Sequence, residues 1–154
     1  NSGGVRNVKG ELILPTEYEE PTMDENKRRG MSTNFGIWWD GDLLRELLDH
    51  ETVQKYDWKT GRVNVIKRFD GRFNNGTKSN PCLSGDILGD WREEVLVRDA
   101  QSTMLKLYTT DIPTDHRITC LMQDIPYRLS IATENVAYNQ PPEPGFYLGV
   151  GMKK

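Results

Sequence analysis

The sequence is poor in the residues from which most metal, redox and nucleophilic chemistry is built. Its 154 residues hold two cysteines, Cys82 and Cys120, and two histidines, His50 and His116. The cysteines form no CxxC pair; a disulfide between them, two free thiols, or one of each all stay open. The histidines show no HxH, HxxxH or HExxH spacing, so a zinc site built from this chain alone is not expected. A GxSxG elbow and a phosphate loop are also missing. No apolar run approaches the roughly 20 residues needed to cross a bilayer. Nor does a basic amino terminus lead into an apolar one, although a signal would sit at the start of a parent protein, where this chain need not begin. The net charge is −3, and Lys27-Arg28-Arg29 is the one three-residue basic run, so a nucleic-acid surface is not expected.

What is present is an ordinary folding composition, 36% hydrophobic and 28% charged, well away from disorder. Leu12-Ile13-Leu14, stopped by Pro15, predicts a strand followed by a long polar loop through Gly30. Beyond Asn34 the texture turns aromatic and β-branched. Asp40-Gly41-Asp42 predicts a turn. Alternation over Thr52–Trp58 and again from Arg62, around Lys59-Thr60-Gly61, predicts a hairpin, and Leu43–Leu48 is read with it as a strand despite its helix-forming composition. Pro81–Leu88, Trp91–Arg98 and Met104–Tyr108 predict further strands. Arg45-Glu46 and Arg92-Glu93 each follow a Gly/Asp turn, 47 residues apart, a period that suits a four-stranded propeller blade. An independent β-sandwich suits the same strand spacing. In the tail, Pro126 predicts a short helix over Tyr127–Val136, Pro141 and Pro142 fix an extended path, and Phe146-Tyr147-Leu148 is read as a sheet edge.

Three groups of side chains carry possible chemistry. Asn74-Asn75-Gly76-Thr77-Lys78-Ser79-Asn80 offers amides and hydroxyls that both donate and accept, as sugar hydroxyls require, on a loop that is equally a plain surface turn. Asp40, Asp42, Asp86 and Asp90 are carboxylates at turns, where they either cap the backbone or supply the oxygen ligands calcium takes. Trp38 and Trp39 are adjacent on one strand, so they point opposite ways and at most one can face a ligand; Trp58 and Trp91 are read as packing residues.

Four longer strings add to this reading: FGIWWDGDLLRELLD (Phe35–Asp49), NNGTKSNPCLSGDILGDWREEVLVR (Asn74–Arg98), LKLYTTDIPTDHRI (Leu105–Ile118) and LMQDIPYRLSIATENVAYNQPPEPGFYLG (Leu121–Gly149). Together, and in this order, they resemble the C-terminal part of the family eleven polysaccharide lyases, the bacterial rhamnogalacturonan lyases. The resemblance implies an all-β chain, a partial β-propeller forming the C-terminal blades of an eight-bladed one. Residues 1–33 would be a linking strand and loop from a preceding blade, and residues 34–154 the C-terminal blades with a closing tail. It implies cleavage of rhamnogalacturonan type I by β-elimination outside the cytoplasm (extracellular, cell-surface or periplasmic), with calcium as cofactor and the remaining blades of a longer parent as partners. Asn75, Gly76, Thr77 and Asn139 then become substrate-binding residues, and Asp40, Asp42, Asp86 and Asp90 weak calcium candidates. Arg92 would either pair within its blade or approach galacturonate. Neither histidine falls in a string matched to a base, so the catalytic base is expected from outside this sequence and the chain alone is expected to be inactive. The alternative is a noncatalytic carbohydrate-binding or structural propeller module.

Overall fold

The computed structural model describes residues 5–14, 17–18, 32–74, 78–136 and 139–152. Among these residues the strands form three sheets. The first is a small ribbon of β1 (Val5–Arg6) and β2 (Leu12–Leu14), paired antiparallel. The second has five strands. β4 (Gly36–Ile37), β5 (Glu46–Asp49), β6 (Thr52–Asp57) and β7 (Arg62–Arg68) follow one another as an antiparallel meander, and β3 (Glu17–Tyr18) lies parallel against the outer side of β7. The third is the meander of β8 (Leu83–Gly85), β9 (Glu94–Arg98) and β10 (Leu105–Tyr108).

Turn chemistry explains why these segments pair. The expected hairpin at Lys59-Thr60-Gly61 is present: Asp57 accepts from the Lys59 amide and the Thr60 hydroxyl, both at 2.8 Å, and Gly61 adopts φ 75°. The β5–β6 turn uses His50 and Glu51 at φ 47° and 54°. That is the primed two-residue geometry that matches strand twist, and it is costly for residues with a Cβ. Thr52, Val53 and Gln54 are all buried, because the central strand is covered on both faces and a register shift interrupts its alternation at Val53/Gln54.

The two larger sheets enclose one core, where Phe35, Ile37, Trp39, Phe69 and Phe73 meet Val95 and Val97. Trp38 points the other way, as alternation requires, and joins Trp91, Leu121, Tyr127 and Leu148 in a second core. Helix α1 (Ile125–Thr133) closes this second core, and its amino end is capped by Asp124, which accepts from the Tyr127 amide at 3.1 Å. The helix starts and stops earlier than the sequence predicts, because Asp124 caps ahead of Pro126. Gly85 admits the helix: a Cβ there would lie 2.6 Å from Ile131 Cδ1. Three other expectations are corrected. Trp58 is 63% exposed and packs no core, lying under the Lys59 ammonium instead. Leu43–Leu48 is a strand only from Glu46, since residues 41–44 form the preceding turn. Phe146-Tyr147-Leu148 forms no strand, and Leu148 plugs the second core. Cys82 and Cys120 are both free thiols.

The internal repeat is real, with a different offset. Gly41 and Gly89 share a left-handed backbone (φ 89° and 81°). Asp42 caps the Leu44 amide as Asp90 caps the Arg92 amide. Glu46 clasps the amides of Trp39 and Asp40, and Glu94 clasps those of Ile87 and Leu88. Glu46 therefore corresponds to Glu94, an offset of 48, where the Arg-Glu dipeptides suggested 47. Arg45 thereby corresponds to Glu93, and the two are paired across the repeats at 3.7 Å.

Candidate functional site

The loop predicted to contact sugar is closed at its base by a bridge in which the Asn74 amide donates to Asn80 O at 2.7 Å. Asn75, Gly76 and Thr77 themselves lie outside the described residues. Asn139 is described, beyond the end of α1. Its Nδ2 donates to Asn135 Oδ1, and Asn135 Nδ2 donates to Cys82 O at 2.7 Å. The Cys82 thiol in turn contacts Asn74 Oδ1 at 3.7 Å. Asn139 is thus linked through Asn135 and Cys82 to the residue that precedes the loop. Asn135 was not singled out from the sequence, where it reads only as the polar end of a helix.

Glu134 anchors the same corner. Its carboxylate is buried and accepts from the Ser84 amide (3.0 Å) and hydroxyl (2.9 Å), tying the end of α1 to β8. Burial pushes its pKa up to about 7 against the lowering effect of the Ser84 hydrogen bonds, with Glu93 pushing it further up. The folded state therefore holds a proton that the unfolded chain has released. The resulting stabilisation is complete below the ordinary carboxylate pKa and is lost as pH rises through about 7. Replacing Glu134 by Gln removes this dependence. The wild-type advantage over Glu134→Gln is expected to shrink by on the order of 3 kcal/mol between pH 4.5 and pH 8. Urea unfolding at the two pH values measures it, and an unchanged difference would refute the assignment.

The acidic turns divide. Asp86 is fully buried, and its Oδ2 accepts from the Leu121 amide at 2.6 Å, holding the chain ahead of α1. Asp90 is ion-paired to Arg92, whose other arm donates to Ile112 O. Arg92 thus takes the pairing role within its sheet. Neither aspartate joins a metal-capable group among the described residues. Asp40, Asp42 and Glu46 do form one, with a ligand oxygen from each lying within 4.8 Å of the others, an arrangement that could hold a metal ion. Glu46 is the member the sequence reading missed. The Lys55 ammonium stands among the three, 2.9 Å from Asp40, 2.8 Å from Asp42 and 2.5 Å from Glu46. His50 is in the β5–β6 turn, and His116 lies edge-on to Trp91 at 6.2 Å, its amide donating to Thr114 Oγ1, whose hydroxyl donates to Gly41 O in the acidic turn at 2.6 Å. A polar cleft of about 530 Å³, lined by Glu51, Asp70, Arg72, Asp99 and Lys106 among others, opens between the two larger sheets' ends and was not foreseen from the sequence.

Comparison with known proteins decides the family. Residues 11–154 match the family described as rhamnogalacturonan lyase family 11, C-terminal domain. The chain belongs to this family. It is 56% identical over 122 residues to the rhamnogalacturonan endolyase YesW of Bacillus subtilis, covering 79% of this chain and 20% of that protein. It is 51% identical over 132 residues to the rhamnogalacturonan exolyase YesX of the same organism, covering 80% and 22%. The crystal structure of YesW superposes with a TM-score of 0.82 at 47% identity, over 99% of this chain and 24% of that one. A Bacillus licheniformis rhamnogalacturonan lyase superposes at 0.80 with 50% identity, over 94% and 23%. The chain therefore spans about a fifth of the length of these curated family 11 relatives, and its predominantly β-stranded fold is that of the matching part of the lyase structures.

Proposed function

We propose that this chain supplies part of the substrate cleft of a lyase that cleaves rhamnogalacturonan type I by β-elimination. The observation that carries the reading is the family 11 match across nearly the whole chain, joined to more than half identity with two rhamnogalacturonan lyases. In such a reaction a base removes the proton at C5 of galacturonate and the C4 oxygen leaves toward rhamnose. This chain contributes binding and orientation. The amides at Asn75 and Asn139 suit sugar hydroxyls, because each amide both donates and accepts. The Asn139–Asn135–Cys82–Asn74 chain of contacts supports one shared binding edge for Asn75, Gly76, Thr77 and Asn139.

The same reading gives the architecture. Residues 34–154 are the C-terminal blades of an eight-bladed propeller, and residues 1–33, which carry the β1–β2 ribbon and β3 where the sequence predicted one strand and a long loop, lead in from a preceding blade. Leu83, Leu96 and Leu107 form an apolar row across the outer face of the three-stranded sheet. Leu105 and Leu107 on its edge strand remain exposed. An apolar sheet face with an open edge suits a neighbouring blade, as propellers bury each blade against the next. No described helix is long and apolar enough to cross a membrane. Calcium is the cofactor proposed for the complete enzyme. Within the described residues its one candidate group already contains the Lys55 ammonium.

Asn139→Ala tests the binding edge. In the complete enzyme the substitution is expected to raise KM for rhamnogalacturonan oligosaccharides by about tenfold, the worth of one or two hydrogen bonds, with an unchanged melting temperature. An unchanged KM would remove Asn139 from the site.

A further inference from the structure

We propose that Lys55 is the resident cation of the first repeat: its ammonium takes the place of a divalent ion among Asp40, Asp42 and Glu46, and this turn binds no calcium. Each carboxylate divides its two oxygens between the turn and the lysine. Asp40 Oδ1 accepts from the Asp42 amide, Asp42 Oδ1 from the Leu44 amide, and Glu46 Oε2 from the amides of Trp39 and Asp40. The second oxygens, Asp40 Oδ2, Asp42 Oδ2 and Glu46 Oε1, all face Lys55 Nζ within 2.9 Å, and Leu44 O lies at 3.4 Å. Three ammonium protons meet three carboxylate oxygens, so the site is saturated in hydrogen bonds. A calcium ion needs six to eight oxygens at about 2.3–2.6 Å around the same centre, and the Nζ atom already lies there.

The second repeat supplies an independent observation. Leu47 pairs with Gln54, and its counterpart Val95 pairs with Tyr108, so Thr109 occupies the position of Lys55. Thr109 Oγ1 donates to Glu94 Oε1 just as Lys55 donates to Glu46 Oε1. Where the lysine is gone, Leu88 stands in the place of Asp40, and Asp90 turns to Arg92. One acidic side chain disappears together with the cation. Asp40 and Lys55 are therefore a matched pair, the extra carboxylate present because a positive charge sits at the centre. Burial lowers the lysine's pKa, but the hydrogen bonds it donates to Asp40, Asp42 and Glu46 outweigh it and hold the amine protonated.

The test uses the full chain, with calcium chloride as probe and a chelated sample as reference. Asp42→Asn in the wild-type background is expected to leave the number of bound calcium ions, measured by equilibrium dialysis, unchanged. Lys55→Met removes the charge and keeps the stem. It is expected to melt on the order of 5 °C lower in chelator, to recover in millimolar calcium chloride but not magnesium chloride, and to lose that recovery in Lys55→Met/Asp42→Asn. Loss of one bound calcium in Asp42→Asn would overturn the proposal even if Lys55→Met failed to fold. So would a folded Lys55→Met that gains no response to calcium.

Discussion

Replacing Arg45 by alanine is expected to cost about 3–5 kcal/mol, enough to lower the melting temperature of a chain this size by roughly 10 °C. Among the described residues Arg45 is the cation paired with the buried Glu93 carboxylate, at 3.7 Å. The same guanidinium donates to Gly36 O at 2.8 Å and Pro142 O at 3.1 Å, and lies over Trp38 at 5.6 Å from the ring centroid. It thus joins the first meander, the second meander and the proline-fixed tail. Glu93 also accepts from the Trp38 amide (2.8 Å) and from the hydroxyl of Tyr127 (2.6 Å), the α1 residue buried in the second core. Burial raises the Glu93 pKa, while Arg45, Tyr127 and the Trp38 amide pull it back. Without Arg45 it rises further, so the folded variant is most stable where Glu93 is protonated and loses that stability as pH increases. The damage from Arg45→Ala is therefore expected to be smallest in acid and largest above neutrality. The exposed partner Glu143 gives the control: Glu143→Gln, at the rim, is expected to cost under about 1 kcal/mol. Urea unfolding of both variants across pH measures this, and a small, pH-independent loss in Arg45→Ala would show that Glu93 does not rely on it.

This network also shows why the repeat was legible in outline and misplaced by one residue. Glycine and aspartate announce the two turns, and the alternating valines announce the strands. The Arg-Glu dipeptides then match by composition at 47. On a strand, a shift of one residue sends a side chain to the opposite face. Glu94 faces its own turn and clasps two amides, whereas Glu93 faces Tyr127 in the second core. Two adjacent glutamates with different roles look alike in the sequence, and only tertiary placement separates them. The β5–β6 turn was silent for a related reason: His50 and Glu51 carry none of the Gly or Asn signal that usually marks positive φ.

The candidate site was readable in its separate parts rather than in its connections. Asn139 and the Asn74–Asn80 run stand out by chemistry, but Asn135, which bridges Asn139 to Cys82, reads as a helix end. Asp40 and Asp42 stand out at a turn. Glu46 and Lys55 complete their group only because the β5–β6 pairing sets them side by side across the hairpin. Asp86 and Asp90, alike in the sequence, were absorbed by a backbone amide and an arginine.

The second large effect concerns catalysis. Among the described residues Asn139 is the candidate for sugar contact, the acidic turn is filled by lysine, and neither histidine falls in a stretch matched to a base, one lying in a hairpin turn and one against Trp91. A positioned base supplies about 10²–10⁴-fold of such a reaction, and closing a cleft adds the preorganised dipoles that stabilise the charge developing at C5. The chain by itself is therefore expected to run at least about a thousandfold slower than the complete enzyme, even when folded and sugar-binding. The most direct measurement is the release of 4,5-unsaturated galacturonate ends from rhamnogalacturonan type I, followed by absorbance, with this chain alone and with the complete propeller. No detectable release is expected from the chain and robust release from the whole; robust turnover by the chain alone, or a complete propeller that binds the polysaccharide and never cleaves it, would show that the chain is not one part of a lyase cleft.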